Sequence, residues 1–256
     1  MGVKSIEFSC LKESTGVSNL RFICLKLYNI KMNITPAILP KSFEEIGNKI
    51  ECLSGFAIRV QIDLCDGHMG RELTWLPKGD EILPSKESIT YECDLMVNDW
   101  RTYVPRIISL GFKRLVIHID SWNNEDIDEY LTLTSGGTSI YTGLAVSNDL
   151  LLEEFDDKIR HYREQHPKIF IQVMGIESIG EQGQPFDESC LERIKHSIQI
   201  FPDVHVQVDG AMRPETAQKV ANAGAENIIV GSYLFGHNDI GSAYSELSNI
   251  ESNFCQ

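Results

Sequence analysis

The chain has 256 residues, a formal net charge of −14 at pH 7 and 42% hydrophobic residues. Its length suits one large domain, and no apolar run reaches the roughly 20 residues that a membrane span needs. The acidic charge argues against non-specific nucleic-acid binding, because phosphates must be met by clustered Lys and Arg. Seven scattered cysteines without a CxxC pair, and the lack of a signal peptide, predict reduced thiols and a cytoplasmic protein.

Residues 1–31 precede a strongly patterned region that begins at Met32. The Met-Gly start is not a myristoylation signal, because Ile6 stands where that signal requires Ser or Thr. The segment is an appended strand or helix, or a start site assigned too early, and the sequence does not separate these. We therefore expect an N-terminal extension over 1–31 and a single domain over 32–256.

From residue 33 onward, apolar runs of strand length alternate with amphipathic stretches of helix length. The predicted strands are 33–39, 56–64, 89–97, 114–120, 139–146, 168–176, 204–210 and 227–232. The predicted helices are 41–53, 99–110, 124–133, 149–165, 187–200, 213–224 and the stretch 234–248. The segment 69–88 contains Pro77, Gly79 and Pro84, which argue against a long regular helix there.

Eight near-continuous apolar strands with helices between most of them predict an α/β protein with the (β/α)₈ TIM-barrel fold. The competing architecture is a doubly wound open sheet. That fold requires a Gly-rich turn after the first strand, and "AILPKS" is not one.

Polar residues collect near the C-terminal ends of the predicted strands, which all face one side of a parallel barrel. They are Gln61, Asp63, Asp94, His118, Asp120, Gln207 and Asp209. Asp63 and Asp209 lie inside otherwise apolar strands, where helix capping does not explain them, so we predict a functional role for this pair. Asp66, in the turn after the second strand, is interpreted as a helix N-cap.

Three glycine-containing stretches, 180–186, 208–212 and 228–235, follow the last three predicted strands. Backbone N–H groups from such turns can hold a phosphate. The loops after strands seven and eight are the usual place for a phosphate in these barrels. Together the three stretches predict an anion site beside the acids.

These residues resemble the ribulose-phosphate 3-epimerase family over roughly 33–237. The similar stretches are "ITPAIL", "IDLCDGH", "CDLMV", "TGLAV", "VMGI", "GQPF" and "VDGAMRPETAQKVANAGAENIIVGSYLFG". Members interconvert ribulose 5-phosphate and xylulose 5-phosphate: an acid on each side of C3 moves a proton, and a divalent metal stabilises the enediolate. The resemblance implies that Asp63 and Asp209 are the two acids. It further implies that Met96 and Met174 line the site. The residues that it implies bind the phosphate are Gly183, Gly210, Gly231 and Ser232.

The chain departs from the family at the metal. The family uses two histidines and two aspartates, whereas Gln61 and Asp94 stand at the two histidine positions here, and His68 in the following turn does not replace them. The set Gln61, Asp63, Asp94 and Asp209 offers only oxygens, which favours Mg²⁺ or Mn²⁺ over Zn²⁺. Without a cation the carboxylates repel, so at least one pKa should rise.

Three further family positions differ. Cys65 replaces a methionine of the site, Ala37 replaces a serine of the first strand, and Ala211 replaces the second glycine of a "DGG" turn. Cys65 is interpreted as a small buried filler.

The leading hypothesis is an epimerase or isomerase acting on a ketose phosphate, with Asp63 and Asp209 exchanging the proton. A second is aldol-type chemistry on a sugar phosphate, but "DLCD" lacks the lysine of the Asp-x-Lys-x-x-Asp pattern of such relatives. A third is a non-catalytic phosphosugar-binding or assembly protein. We expect a sugar phosphate as partner, no nucleic acid or membrane, and a homo-oligomer.

Overall fold

The computed structural model describes residues 5–12, 22–29, 31–69, 72–84, 88–135, 140–166, 168–177, 179, 183–252 and 254–255. The strands are β1 (Ser5–Lys12), β2 (Phe22–Asn29), β3 (Asn33–Ile38), β4 (Arg59–Cys65), β5 (Thr90–Met96), β6 (Arg114–His118), β7 (Tyr141–Val146), β8 (Ile169–Met174), β9 (Val206–Asp209), β10 (Asn227–Val230) and β11 (Phe254–Cys255). The helices are α1 (Phe43–Leu53), α2 (Trp100–Ser109), α3 (Asn124–Ser135), α4 (Leu152–Gln165), α5 (Cys190–Ile200), α6 (Pro214–Ala223), α7 (Ser232–Phe235) and α8 (Ile240–Ser248).

Strands β3 to β10 close into a barrel in the order β10-β3-β4-β5-β6-β7-β8-β9. Every neighbouring pair is parallel. The TIM-barrel prediction is therefore confirmed, and each predicted strand is present with shifted ends. The register places Asp63 beside Asp94 and Met174 beside Asp209, so closure brings acids from distant parts of the sequence together.

The helices cover the barrel with their apolar faces. In α1, Ser42 caps the first turn by accepting a hydrogen bond from the Glu45 N–H, and Ile46 and Ile50 are fully buried beneath it. Because both strand faces are covered, the strands read as continuous apolar runs rather than alternating ones.

The connection from β4 to β5 has no helix in its described residues 66–69, 72–84 and 88–89, as its prolines predicted. The interpretation of Asp66 as a helix N-cap was wrong for the same reason, since no helix follows it within the described residues 66–69 and 72–84. Its carboxylate instead accepts from the His68 N–H at 2.9 Å and from the Asn98 N–H at 2.7 Å. Asp66 thereby ties together the loops that follow β4 and β5.

The N-terminal extension contributes strands rather than a helix in its described residues. β1 and β2 are antiparallel, and β11 joins them in a three-stranded sheet of order β1-β2-β11. The division at residue 31 into extension and barrel domain stays a prediction. Among the helices of the described residues, none is both long and apolar enough to cross a membrane.

Candidate active site

Three carboxylates converge at the C-terminal mouth of the barrel. Asp63 lies near the end of β4, Asp94 on β5, and Asp209 at the last position of β9. One oxygen from each lies within 4.8 Å of the others, so the cluster could hold a metal ion. Asp94 is buried, whereas Asp63 and Asp209 are partly open to a cavity.

Gln61 lies beneath this cluster and joins the two outer acids. Its Nε2 donates to Asp63 Oδ1 at 2.9 Å and to Asp209 Oδ2 at 3.1 Å. The residue is fully buried, and its Oε1 has no hydrogen-bond partner among the described residues. An unsatisfied buried amide oxygen costs about 1–3 kcal/mol. The site therefore contains an acceptor that a donor or a cation would satisfy.

Asp94 is held on both oxygens by buried neighbours. His118 Nε2 lies 2.8 Å from Oδ1, and Gln172 Nε2 donates to Oδ2 at 2.8 Å. Burial acts to lower the pKa of His118, but the charge of Asp94 and the hydrogen bond to it outweigh burial, and the pKa rises. Asp94 thus differs from the outer acids, since protein groups hold both of its oxygens, whereas Gln61 holds one oxygen of each outer acid.

From the sequence, His118 was predicted only as a strand-end residue without a role, and Gln172 was not predicted to belong to the site. Gln172 lies within the apolar run "KIFIQVMGI". Its amide inside that run was the signal that could have found it, by the same reasoning that singled out Asp63.

A hydrogen-bond chain continues from Gln172 down the inside of the barrel. Gln207 Nε2 donates to Gln172 Oε1 at 2.7 Å and to Glu92 Oε1 at 2.9 Å. Glu92 in turn forms an ion pair with Arg114, and Arg114 Nη2 donates to Gln207 Oε1 at 3.3 Å. The position of Asp94 is therefore linked to a buried ion pair deeper in the barrel.

The two outer acids bind their protons more tightly than ordinary carboxyls. Burial raises the pKa of Asp63, and the charges of Asp209 and Asp94 raise it further. Burial and the charge of Asp94 raise the pKa of Asp209 to about 7, although the hydrogen bond from Gln61 acts in the opposite direction. The rise in pKa that the sequence predicted for crowded carboxylates is present at both.

A cavity of about 110 Å³ opens beside the acids. Its lining includes most of the residues that the sequence analysis assigned to the site: Asp63, Asp94, Asp209, Met96, Met174, Gly183, Gly210, Gly231 and Ser232. Residues 180–182 of the predicted anion stretch 180–186 lie outside the described residues. Asp120, two residues after β6, is exposed and accepts from the Ser147 N–H at 2.7 Å.

Cys65 is buried next to this cavity, with its Sγ 3.7 Å from Met96 Sδ. Burial raises the pKa of its thiol, and the charge of Asp63 raises it further. A thiol in this environment is inert, which agrees with its interpretation as a filler.

The turn after Asp209 is strained. Gly210 has φ +110°, and a Cβ there would lie 2.8 Å from the Ile176 side chain. Ala211 follows with φ +54°, and it is the sole non-glycine residue with positive φ among the described residues. Alanine here occupies a conformation that favours glycine.

The sequence profile of the ribulose-phosphate 3 epimerase family matches residues 33–235. The chain belongs to this family. Among curated relatives, ribulose-phosphate 3-epimerase of Aquifex aeolicus is 26% identical over 225 residues, covering 85% of this chain and 96% of the relative. The Bacillus subtilis enzyme is 25% identical, covering 84% and 98%.

Solved structures of other proteins superpose on the barrel of this chain. The 3-hexulose-6-phosphate synthase of Salmonella typhimurium superposes with a TM-score of 0.60 at 9% identity, covering 86% of this chain and 98% of that one. A second 3-hexulose-6-phosphate synthase gives 0.59 at 16% identity, with coverage of 85% and 98%. At such identities the likeness concerns the barrel alone.

Proposed function

We propose that this family member is an epimerase or isomerase that acts on a ketose phosphate of the ribulose 5-phosphate/xylulose 5-phosphate type. Asp63 and Asp209 transfer the proton at C3. One observation carries the proposal: both carboxyls border the same cavity, and both have raised pKa values.

Inverting a carbon next to a carbonyl requires a base on one face and an acid on the other. An ordinary Asp is a weak base and is ionised at neutral pH, whereas a carboxyl with a pKa near 7 can take or give a proton. We infer that the pair holds one proton between them, with Gln61 Nε2 orienting both carboxyls. The protonated member is the acid and the ionised member is the base.

The remaining lining residues suit binding of a sugar phosphate. Met96 and Met174 form a buried apolar wall, which would keep water from C3. Gly210, Gly231 and Ser232 stand at the turns that follow β9 and β10, and the first N–H groups of α7 have no acceptor within their own helix. These groups would hold the phosphate, together with Gly183.

The donor set fits a hard divalent cation. Asp63, Asp94 and Asp209 each supply an oxygen, and the partnerless Gln61 Oε1 would join them if the amide turned over, since its Nε2 faces the acids in this structure. A site with oxygen ligands only favours Mg²⁺ or Mn²⁺ over Zn²⁺. A cation there would stabilise the negative charge that develops on the substrate's oxygen.

The second candidate function is phosphosugar binding without turnover. The observation that favours it is the Gln61 amide, which already bridges the two acids where the family has a metal-binding histidine. Retention of both acids with raised pKa values favours catalysis over this alternative.

We also propose a cytoplasmic location, as in the rice relative named "Ribulose-phosphate 3-epimerase, cytoplasmic isoform", which is 26% identical over 219 residues. The homo-oligomer expected from the sequence stays a prediction.

The proposed reaction is tested by conversion of ribulose 5-phosphate to xylulose 5-phosphate. Asp63→Asn and Asp209→Asn should each lower kcat by about 100-fold or more, because general acid–base groups contribute about 10²- to 10⁴-fold. Asp157→Asn, at an exposed position of α4, is the matched control and should retain full activity. Unchanged turnover in both site variants would show that the two acids do not transfer the proton.

A further inference from the structure

A second cavity, of about 240 Å³, lies at the opposite end of the barrel from the acids. It is lined where β3, β4 and β10 begin, and α8 contributes Tyr244. The lining contains two cationic residues, Lys31 and Arg59, and no carboxylate. The charged lining of this cavity is thus cationic, although the whole chain carries a net charge of −14.

Arg59 is the first residue of β4 and lies two and four positions before Gln61 and Asp63, so its side chain shares their inward direction. The Arg59 side chain is half-buried and makes no hydrogen bond or ion pair with any residue that the structure describes. Burial lowers the pKa of this guanidinium, and the charge of Arg114 lowers it further. Glu92 acts on Arg59 only as a weaker opposing charge, because it is bonded to Arg114.

The other polar groups of the cavity wall already have partners within the protein. Asn227 Nδ2 donates to Gln207 Oε1, and Thr35 Oγ1 donates to Asn227 Oδ1 at 3.0 Å. The Asn33 amide donates to the Glu226 carbonyl at 3.0 Å. The lining therefore offers Arg59 no anionic partner, and a partly desolvated cation without one is unfavourable.

We propose that this cavity binds a small anion through Arg59, assisted by Lys31. The ligand class is an oxyanion, a phosphate or a carboxylate, because the planar guanidinium fork matches both. The apolar part of the wall, with Met32 and Ile58, accommodates a short carbon body. This site is separate from the proposed epimerase site and does not depend on its chemistry.

Calorimetric titration of the full chain with inorganic phosphate and with malonate tests the proposal. Both titrations are repeated in Ser232→Glu, which places a negative charge at the proposed sugar-phosphate site at the other end of the barrel. We expect binding to persist in Ser232→Glu and to weaken at least tenfold when Arg59→Gln is added. Arg160→Gln, the same change at an exposed position of α4, should leave it unchanged.

Binding of phosphate alone would assign the site to phosphorylated ligands, and binding of malonate alone to carboxylates. If Arg59→Gln fails to fold, Lys31→Gln at an exposed position replaces it, with an expected weakening of twofold or more. The proposal is overturned if neither anion binds in Ser232→Glu, or if binding there survives both Arg59→Gln and Lys31→Gln.

Discussion

At the residue scale, the site depends on Gln61 and Asp94, which stand at the two positions where the resemblance implies histidines. Gln61 donates to both outer acids through a single nitrogen, whereas a histidine ring nitrogen would ligate a metal directly. Asp94 occupies the second position and is fixed by His118 and Gln172. Both positions therefore carry side chains with oxygen atoms, and hydrogen bonds hold each side chain in place.

The raised pKa of Asp209 makes stability depend on pH. The Asp209 carboxyl keeps its proton up to about pH 7 in the folded state, whereas the ordinary pKa is 3.8. The free energy of unfolding therefore falls as pH rises from about 4 to about 7, and this loss is constant above pH 7. Asp209→Asn removes it and should gain on the order of 2 kcal/mol relative to wild type between pH 5 and pH 8. Urea unfolding of metal-stripped protein at both pH values measures this, with Asp157→Asn as control. If the free energy of unfolding depends on pH in the same way in wild type and in Asp209→Asn, the raised pKa of Asp209 is contradicted.

Ala211 offers a second test at the residue scale. Its left-handed conformation costs about 1–2 kcal/mol, part of which glycine loses again to the greater freedom of the unfolded chain. Ala211→Gly should therefore stabilise the protein by about 0.5–1 kcal/mol. The same change at Ala221 inside α6 should destabilise it by about 1 kcal/mol or more. Thermal unfolding compares the two; a loss of stability in Ala211→Gly is the result that contradicts the strain.

At the scale of elements, β8 and β9 carry the chain of amides that supports Asp94. Gln172 and Gln207 are both buried, and each both donates and accepts within the barrel. Such a network is stable only when every member is satisfied. The strand that supplies Met174 to the cavity wall thus also supplies the group that fixes Asp94.

Gln172→Leu tests this network. It removes a donor from Asp94 Oδ2 and an acceptor from Gln207, leaving two buried polar groups short of a partner, so it should destabilise the protein by about 1–3 kcal/mol. Gln165→Leu, at the exposed end of α4, is the matched control and should change stability by less than about 0.5 kcal/mol. If Gln172→Leu and Gln165→Leu have the same free energy of unfolding in urea, the network does not contribute to stability.

At the scale of the whole molecule, the barrel and its acid pair were predictable from the sequence for one physical reason. Strands covered on both faces are apolar throughout, so an acid inside such a run stands out, as Asp63 and Asp209 do. Pro77 and Pro84 likewise predicted that no long helix follows β4.

Other features depend on closure of the barrel. A continuous apolar run does not reveal which of its faces points inward, so Gln172 could not be matched with Asp94. In the sequence, Arg59 is an ordinary charged residue at the start of a strand. That its side chain has no ion-pair partner is evident only from the closed barrel. Asp66 was misread because a turn acid and a helix cap share the same sequence signal.

The central claim is that Asp63 and Asp209 still move a proton at C3. The most direct measurement is NMR-detected exchange of the C3 proton of ribulose 5-phosphate in D₂O. Metal-stripped protein is assayed first, and Mg²⁺, Mn²⁺ and Zn²⁺ are then added back separately. We expect exchange to be restored by Mg²⁺ or Mn²⁺ more than by Zn²⁺, and lost in Asp209→Asn. No exchange under any metal, with phosphosugar binding still measurable, would contradict the claim and identify a binding barrel instead.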